Sequence, residues 1–202
     1  SAFIAASKSR SGAKVQYFHA DAGEPKTIES TVRQVQQEMG AVEVLIYNVR
    51  DEFERCDPIH INYSSLEKAF RLEVVGALAA VKSVLPQMLK RGKGTIFFSS
   101  ATAAFRGSST FPIYSIGKFG LRALSQSFSK AYSKDGIHFV HVRLDCNLDV
   151  PVIREIRKEQ KTSSELAATE SIAESYWLAY LQPRSAWSNE IELRPFTEEW
   201  TY

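Results

Sequence analysis

The chain has 202 residues, of which 44% are hydrophobic and 24% charged, and its formal net charge is +2. These proportions are ordinary for a globular domain, and they exclude a collagen-like, low-complexity or disulfide-stapled chain. The basic residues are scattered rather than gathered into one stripe, so the chain lacks the charge pattern of a nucleic-acid-binding protein. No repeat or linker divides the sequence, and we expect residues 1–202 to form a single domain.

Short apolar strands alternate with longer amphipathic helices along the chain. The predicted strands are Phe3–Ala6, Lys14–His19, Val42–Tyr47, Thr95–Phe98, Ile137–Val142 and Ile191–Leu193. The predicted helices are Thr27–Met39, Ser65–Lys90, Pro112–Ser133 and Ser164–Tyr180. Parallel neighbours need long return connections, so this alternation predicts an α/β fold with a doubly wound parallel sheet. Because such sheets bind ligands at the carboxyl ends of their strands, we expect the chemistry to lie after Tyr47, Phe98 and Val142.

The longest uninterrupted apolar run, Val74–Val81, is much shorter than the ~20 residues that span a bilayer, so we expect no membrane segment. Cys56 and Cys146 are far apart and form no CxxC pattern. This usage argues against a metal site and fits a reducing compartment. We therefore expect a cytoplasmic protein without a metal.

Tyr114 and Lys118 are four residues apart in a predicted helix, which places a phenol and an ammonium on the same face. A neighbouring cation favours the phenolate and lowers the phenol pKa. Such a phenol can act as general acid in carbonyl reduction or as general base in alcohol oxidation. The alternative is a solvated lysine beside a half-buried tyrosine.

The sequence around Tyr114 and Lys118, from about Val15 to Val150, resembles that of the short-chain dehydrogenase/reductase family. The resemblance rests on the strand Gly94–Ser100, the segment Lys118–Ser127 after Tyr114, the strand Gly136–Arg143, the strand end Val44–Asn48 and the helix end Leu85–Gly92. It implies a Rossmann-like fold and an NAD(P)-dependent oxidoreductase acting on a carbonyl or a secondary alcohol. It also implies a homodimer or homotetramer assembled through the helices Ser65–Lys90 and Pro112–Ser133.

The resemblance assigns roles to individual residues. Tyr114 would transfer the proton, and Lys118 would bind the nicotinamide ribose. Asn48 would stabilise the strand end beside the cofactor, and Asp21 would contact the adenine ring. For Asp21 and Asn48 a turn residue and a strand cap are the alternatives.

Several positions depart from the family pattern. The substrate-orienting serine is expected thirteen residues before the tyrosine, where Ala101 stands. Ser100 takes that role if the following loop is one residue longer, and Thr102 is the other candidate; we favour Ser100. Glu73 occupies the position of the family's active-site asparagine, where its carboxylate can form a salt bridge with Lys118 and raise the ammonium pKa. Arg50 replaces a glycine near the adenine pocket.

The glycine-rich turn that receives the cofactor pyrophosphate has no counterpart in the sequence, and Ser1–Ala6 resembles the family's second strand. We therefore expect the first strand and its turn to precede Ser1. At the end of this strand Ser7 and Lys8 replace the aspartate typical of NAD-binding members, which favours NADP over NAD. The departures at Ala101, Glu73 and Arg50, together with the absent glycine-rich turn, motivate a second hypothesis, a relative that has lost catalysis and acts as a binding or scaffold protein.

Overall fold

The computed structural model describes residues 13–50, 54–156 and 166–198. The central sheet has four strands: β1 (Val44–Tyr47), β2 (Gly94–Ala101), β3 (Ile137–Leu144) and β6 (Glu190–Leu193). They lie in the order β1-β2-β3-β6, and every neighbouring pair is parallel. A second, two-stranded sheet pairs β4 (Asn147–Leu148) with β5 (Leu166–Ala167). The predicted parallel sheet is confirmed.

Helices connect these strands as the parallel pairing requires. They are α1 (Pro25–Met39), α2 (Tyr63–Phe70), α3 (Gly76–Arg91), α4 (Pro112–Tyr132), α5 (Pro151–Ile156) and α6 (Thr169–Tyr180). A π-helix, Arg71–Val75, joins α2 to α3, so helical backbone runs from residue 63 to residue 91. The end of α3 is set by Gly92, which adopts the left-handed conformation that terminates helices.

The core has two layers because successive strand residues point to opposite faces of the sheet. On one face Ile96, Phe98 and Phe139 pack with the buried residues of α1, α3 and α4. On the other face Phe97 and Val140 pack with α6. The fold is therefore a helix–sheet–helix sandwich of the Rossmann-like type.

The segment Lys14–His19 differs from its prediction, because it forms no strand. It runs beside α1 instead: Lys14 Nζ donates to the Glu38 carbonyl at 3.2 Å, and Thr31 Oγ1 donates to the His19 carbonyl at 2.9 Å. A strand needs a ladder partner, and within the described residues β1 pairs with β2 alone. The predicted strand Phe3–Ala6 lies outside the described residues.

Among the described residues, one helical stretch, Tyr63–Arg91, is long and apolar enough to cross a membrane by length and composition alone. Half of its most apolar window is buried inside the protein. Its buried side chains, including Val81, Val84 and Met88, pack with the sheet, as those of a core helix do.

Candidate functional site

A cavity of about 710 Å³ opens at the carboxyl ends of β1, β2 and β3. Its lining residues come from the loops after these strands and from the first turns of α4. They include Asn48, Arg50, Ser100, Tyr114, Lys118 and Asp145. The strand ends therefore meet around one space, as the predicted parallel sheet requires.

Lys118 lies at the base of this cavity and is 2% exposed. Its Nζ atom donates to Glu73 Oε2 at 2.7 Å and to the carbonyl oxygens of Val49 and Ser99 at 3.4 and 3.5 Å. The predicted salt bridge between Glu73 and Lys118 is therefore present. Tyr114 lies next to it, with its ring centroid 5.6 Å from Lys118 Nζ.

The proton affinities of this cluster differ from the sequence interpretation. Burial and the negative charge of Glu73 raise the pKa of Tyr114, and the positive charge of Arg50 lowers it less. Burial lowers the pKa of Lys118, although Glu73 raises it. The expected acidified phenol is wrong, because burial and the charge of Glu73 both raise the pKa of Tyr114. Glu73 raises the pKa of Lys118 as expected, but burial lowers it more.

The two candidates for the substrate-orienting hydroxyl, Ser100 and Thr102, have different surroundings in the structure. Ser100 is 5% exposed and lines the cavity, and its Oγ atom has no hydrogen-bond partner among the described residues. Thr102 Oγ1 instead donates to Asp145 Oδ1. Ser99 points to the opposite face, where its hydroxyl lies 2.8 Å from that of Tyr176. Ser100 is thus the hydroxyl of this strand end that is left for a bound molecule.

The other residues expected to bind the cofactor do not all lie at the cavity. Asn48 is exposed and lines the cavity. Asp21 lies in the turn before α1, where its Oδ1 atom accepts from the Gly23 amide at 2.8 Å, an arrangement typical of a turn residue. Ser7 and Lys8 lie outside the described residues. Within the described ranges, no three His, Cys, Asp or Glu side chains are placed to hold a metal ion.

Two features of the cavity wall were not visible in the sequence. Arg50 lines the cavity and acts electrostatically on both Tyr114 and Lys118, whereas the sequence placed it only near the adenine pocket that the resemblance implies. Asp145 accepts a hydrogen bond from Arg194 Nη2 at 2.5 Å. Sequence reasoning missed this contact because its partners lie 49 positions apart.

Residues 2–161 match the sequence model of the short chain dehydrogenase family. Because this match covers most of the chain, the protein belongs to that family, as its Tyr114-x-x-x-Lys118 pair and parallel sheet indicated.

Three curated relatives are similar over part of their length. Glycine betaine reductase of Emericella nidulans is 25% identical over 94% of this chain and 15% of its own length. An uncharacterized oxidoreductase of Thermotoga maritima is 28% identical over 65% of this chain and 51% of its own length. Mouse 3-ketodihydrosphingosine reductase is 25% identical over 69% of this chain and 41% of its own length. The chain thus spans about half or less of these relatives.

Solved structures share the fold. A short-chain dehydrogenase from Rhodopseudomonas palustris superimposes with a TM-score of 0.78 at 26% identity, over 96% of this chain and 81% of that one. An alcohol dehydrogenase from Thermococcus sibiricus, complexed with 5-hydroxy-NADP, gives a TM-score of 0.85 at 18% identity, over 100% and 83% of the two chains. L-Sorbose reductase from Gluconobacter frateurii, complexed with NADPH and L-sorbose, gives 0.82 at 17% identity, over 95% and 80%.

Proposed function

We propose that this protein is an NAD(P)-dependent oxidoreductase that reduces a carbonyl compound or oxidises a secondary alcohol. The observation that supports it most directly is the convergence of the Tyr114 phenol, the Lys118 ammonium and the unpartnered Ser100 hydroxyl on one cavity at the strand ends. The oxidoreductase names of several relatives support the same class of activity. A carbonyl or alcohol oxygen placed between Ser100 and Tyr114 would meet one hydrogen-bond donor and one proton-transferring group.

The described residues fit the nicotinamide end of such a cofactor. The cavity lies where a doubly wound sheet binds dinucleotides, and Asn48 and Lys118 line it from two sides. In this proposal Lys118 binds the ribose hydroxyls and Asn48 stabilises the strand end beside the cofactor. The cofactor supplies the hydride, and the protein supplies orientation and the proton.

Tyr114 transfers that proton in the proposal, and Ser100 orients the substrate oxygen. The raised pKa of Tyr114 keeps the phenol protonated at neutral pH, which favours its use as a proton donor to a reduced carbonyl oxygen. Oxidation of an alcohol requires the phenolate, so its rate is expected to rise with pH.

Cofactor choice and the adenine end belong to the same proposal. Lys8 and Ser7 favour NADP over NAD, because a 2′-phosphate binds to positive and hydrogen-bonding partners. Asp21 is proposed to contact the adenine ring, in addition to the turn contact described above.

We also propose a homodimer or homotetramer in the cytoplasm, formed by a single domain over residues 1–202. The two helices expected at its interface carry half-exposed apolar side chains, namely Phe70 on α2 and Ile116 and Phe119 on α4. Burial of such side chains against a second copy would remove apolar surface from water.

The test compares the full-length protein with its Tyr114→Phe variant. Binding of NADPH and NADH is followed by nicotinamide fluorescence, and turnover is measured with a panel of ketones, aldehydes and secondary alcohols. We expect the variant to bind the cofactor as the parent does and to lose turnover by about 10²-fold or more, because general acid catalysis contributes on that order. Tyr17→Phe, at a side chain that is 75% exposed, is the matched control.

Unchanged turnover in Tyr114→Phe would refute the role of the phenol. Failure of the parent protein to bind either cofactor would instead favour the scaffold hypothesis, which rests on Ala101, Glu73, Arg50 and the absent glycine-rich turn.

A further inference from the structure

Glu73 is one of the most deeply buried charged residues of the described chain, with 1% of its surface exposed. It lies in the π-helix between α2 and α3, and π-helical turns are often found at functional sites. Its carboxylate faces α4, where Lys118 Nζ is 2.7 Å from Oε2. An ion pair at the base of the cavity thus joins two helices.

The approach of Glu73 to α4 depends on a glycine. A Cβ atom at Gly117 would lie 3.0 Å from Glu73 Cγ and 3.3 Å from Glu73 Cβ, which is tighter than ordinary contact. Residues 114, 117 and 118 share one face of α4. Glu73 is therefore packed directly beneath the face that carries Tyr114 and Lys118.

The other acceptors of the Lys118 ammonium are weaker. They are the backbone carbonyls of Val49 and Ser99, at 3.4 and 3.5 Å, and they carry no formal charge. A buried ammonium without a charged partner is costly, and a lysine in that position tends to lose its proton. Among these acceptors, Glu73 alone is an anion.

We propose that Glu73 is a positioning residue of the site, whose carboxylate holds the Lys118 amine protonated and fixed beneath Tyr114. This inference rests on the proposed function, in which the charge and the donors of Lys118 bind the cofactor ribose. Glu73 does not itself line the cavity, and it acts on the site through its ion pair with Lys118 and through its charge, which also raises the pKa of Tyr114. Glu73, which stands where the family has an asparagine, thus keeps the buried Lys118 amine charged.

The charged and titratable groups that act on this pair come from several elements. They are Arg50 after β1, Tyr47 at the end of β1, Tyr114 on α4 and His141 on β3. Burial lowers the pKa of Lys118, and the positive charge of Arg50 lowers it further. Glu73 is the group that raises the pKa of Lys118, so its removal is expected to lower that pKa.

The test measures the proton affinity of Lys118 directly, in the protein without cofactor. Lysine labelled with ¹³C at Cε is titrated by NMR, and the Lys118 signal is assigned by its loss in Lys118→Arg. In Glu73→Gln we expect the proton dissociation constant of Lys118 to increase tenfold or more, as removal of an adjacent opposite charge does. Glu190→Gln, which removes the partner of the partly exposed Arg122, is the matched control and is expected to leave the Lys118 signal unchanged.

Glu73→Asp gives the conservative comparison, because it keeps the charge but shortens the side chain by one methylene. We expect a smaller increase in the Lys118 dissociation constant than in Glu73→Gln. If Glu73→Gln does not fold, Glu73→Asp carries the test. An unchanged Lys118 titration in a folded variant, or equal changes in Gln and Asp variants, would overturn the proposal.

Turnover gives a separate readout. With the best substrate from the panel, the pH above which Glu73→Gln loses activity is expected to fall together with the Lys118 titration. A shifted titration in a protein that turns over no substrate would leave the role of Glu73 intact and refute the proposed function. Turnover together with an unchanged Lys118 titration would support the proposed function and refute the role of Glu73.

Discussion

At the scale of single residues, the first turn of α3 depends on the absence of a side chain at Gly76. A Cβ atom there would lie 2.3 Å from the Ala22 carbonyl oxygen and 2.4 Å from the Tyr47 hydroxyl. The Tyr47 hydroxyl in turn donates to the Leu72 carbonyl of the π-helix. The loop before α1, the end of β1 and the π-helix thus meet at this glycine.

Gly76→Ala is therefore expected to lower the free energy of unfolding by about 1–3 kcal/mol, because a backbone oxygen cannot move aside as a flexible side chain can. This loss outweighs the helical preference of alanine, which favours the substitution by about 0.5–1 kcal/mol. Urea unfolding followed by circular dichroism measures it. Gly107→Ala, where a Cβ atom would meet nothing within 4 Å, is expected to be near neutral. Equal or greater stability of Gly76→Ala would contradict this packing.

The site residues show what local sequence can and cannot indicate. Tyr114 and Lys118 were predictable because helical spacing alone places them together. Ser99 and Ser100 are adjacent in sequence, yet strand alternation directs one hydroxyl to α6 and the other to the cavity. The raised pKa of Tyr114 was not predictable, because its largest cause is burial and the sequence does not show how deeply this phenol is buried.

At the scale of elements, the helices and the parallel strands of the central sheet were predictable because their apolar periodicity is strong. Lys14–His19 was not, since an alternating pattern indicates a strand only where a neighbouring strand offers hydrogen bonds. The π-helix at Arg71–Val75 was also not predictable from the apolar periodicity, because it adds one residue to a turn without changing the apolar character of that turn.

Helix α6 is attached to the sheet by a polar contact within an apolar layer. The Tyr176 hydroxyl lies 2.8 Å from Ser99 Oγ, and the Tyr176 ring centroid is 5.1 Å from that of Phe97. Tyr176→Phe is expected to lower the free energy of unfolding by about 1–2 kcal/mol, because it leaves the buried Ser99 hydroxyl unpaired.

The double variant Ser99→Ala/Tyr176→Phe removes both partners and is expected to lose less stability than the two single variants together. Denaturant unfolding of the four proteins completes the cycle. Tyr63→Phe, at a side chain 84% exposed, is the control and should be neutral. Strict additivity would show that the contact contributes nothing.

At the scale of the whole molecule, β3 carries two buried histidines that face opposite sides of the sheet. His141 is 2% exposed, and its Nε2 atom has no hydrogen-bond partner among the described residues. Burial lowers its pKa to about 4. His138 stacks on Trp187, with ring centroids 4.6 Å apart, and burial lowers its pKa as well. The His141 ring is therefore neutral in the folded protein near pH 6.

This neutrality makes stability depend on pH. Below pH 6.5 the unfolded chain binds a proton at His141 that the folded chain does not, so the free energy of unfolding is expected to fall as the pH decreases from 6.5 to 4. The loss from His141 reaches at most about 3 kcal/mol near pH 4, at 1.4 kcal/mol for each pKa unit. Denaturant midpoints at pH 7.5, 6 and 5 measure it, and His141→Gln is expected to flatten the profile. A parent profile that is already flat over this range would contradict the assignment.

Burial of the Glu73–Lys118 pair also protects this ion pair from screening by dissolved salt. Dissolved ions screen exposed charges over about 8 Å at physiological ionic strength, but they do not enter a packed interior. The Glu73 and Lys118 side chains are 1% and 3% exposed, whereas those of Glu190 and Arg122 are 39% and 24% exposed. Added salt therefore weakens the outer pair and leaves the inner one nearly untouched, so the electrostatics at the base of the cavity stay constant across media of very different salinity.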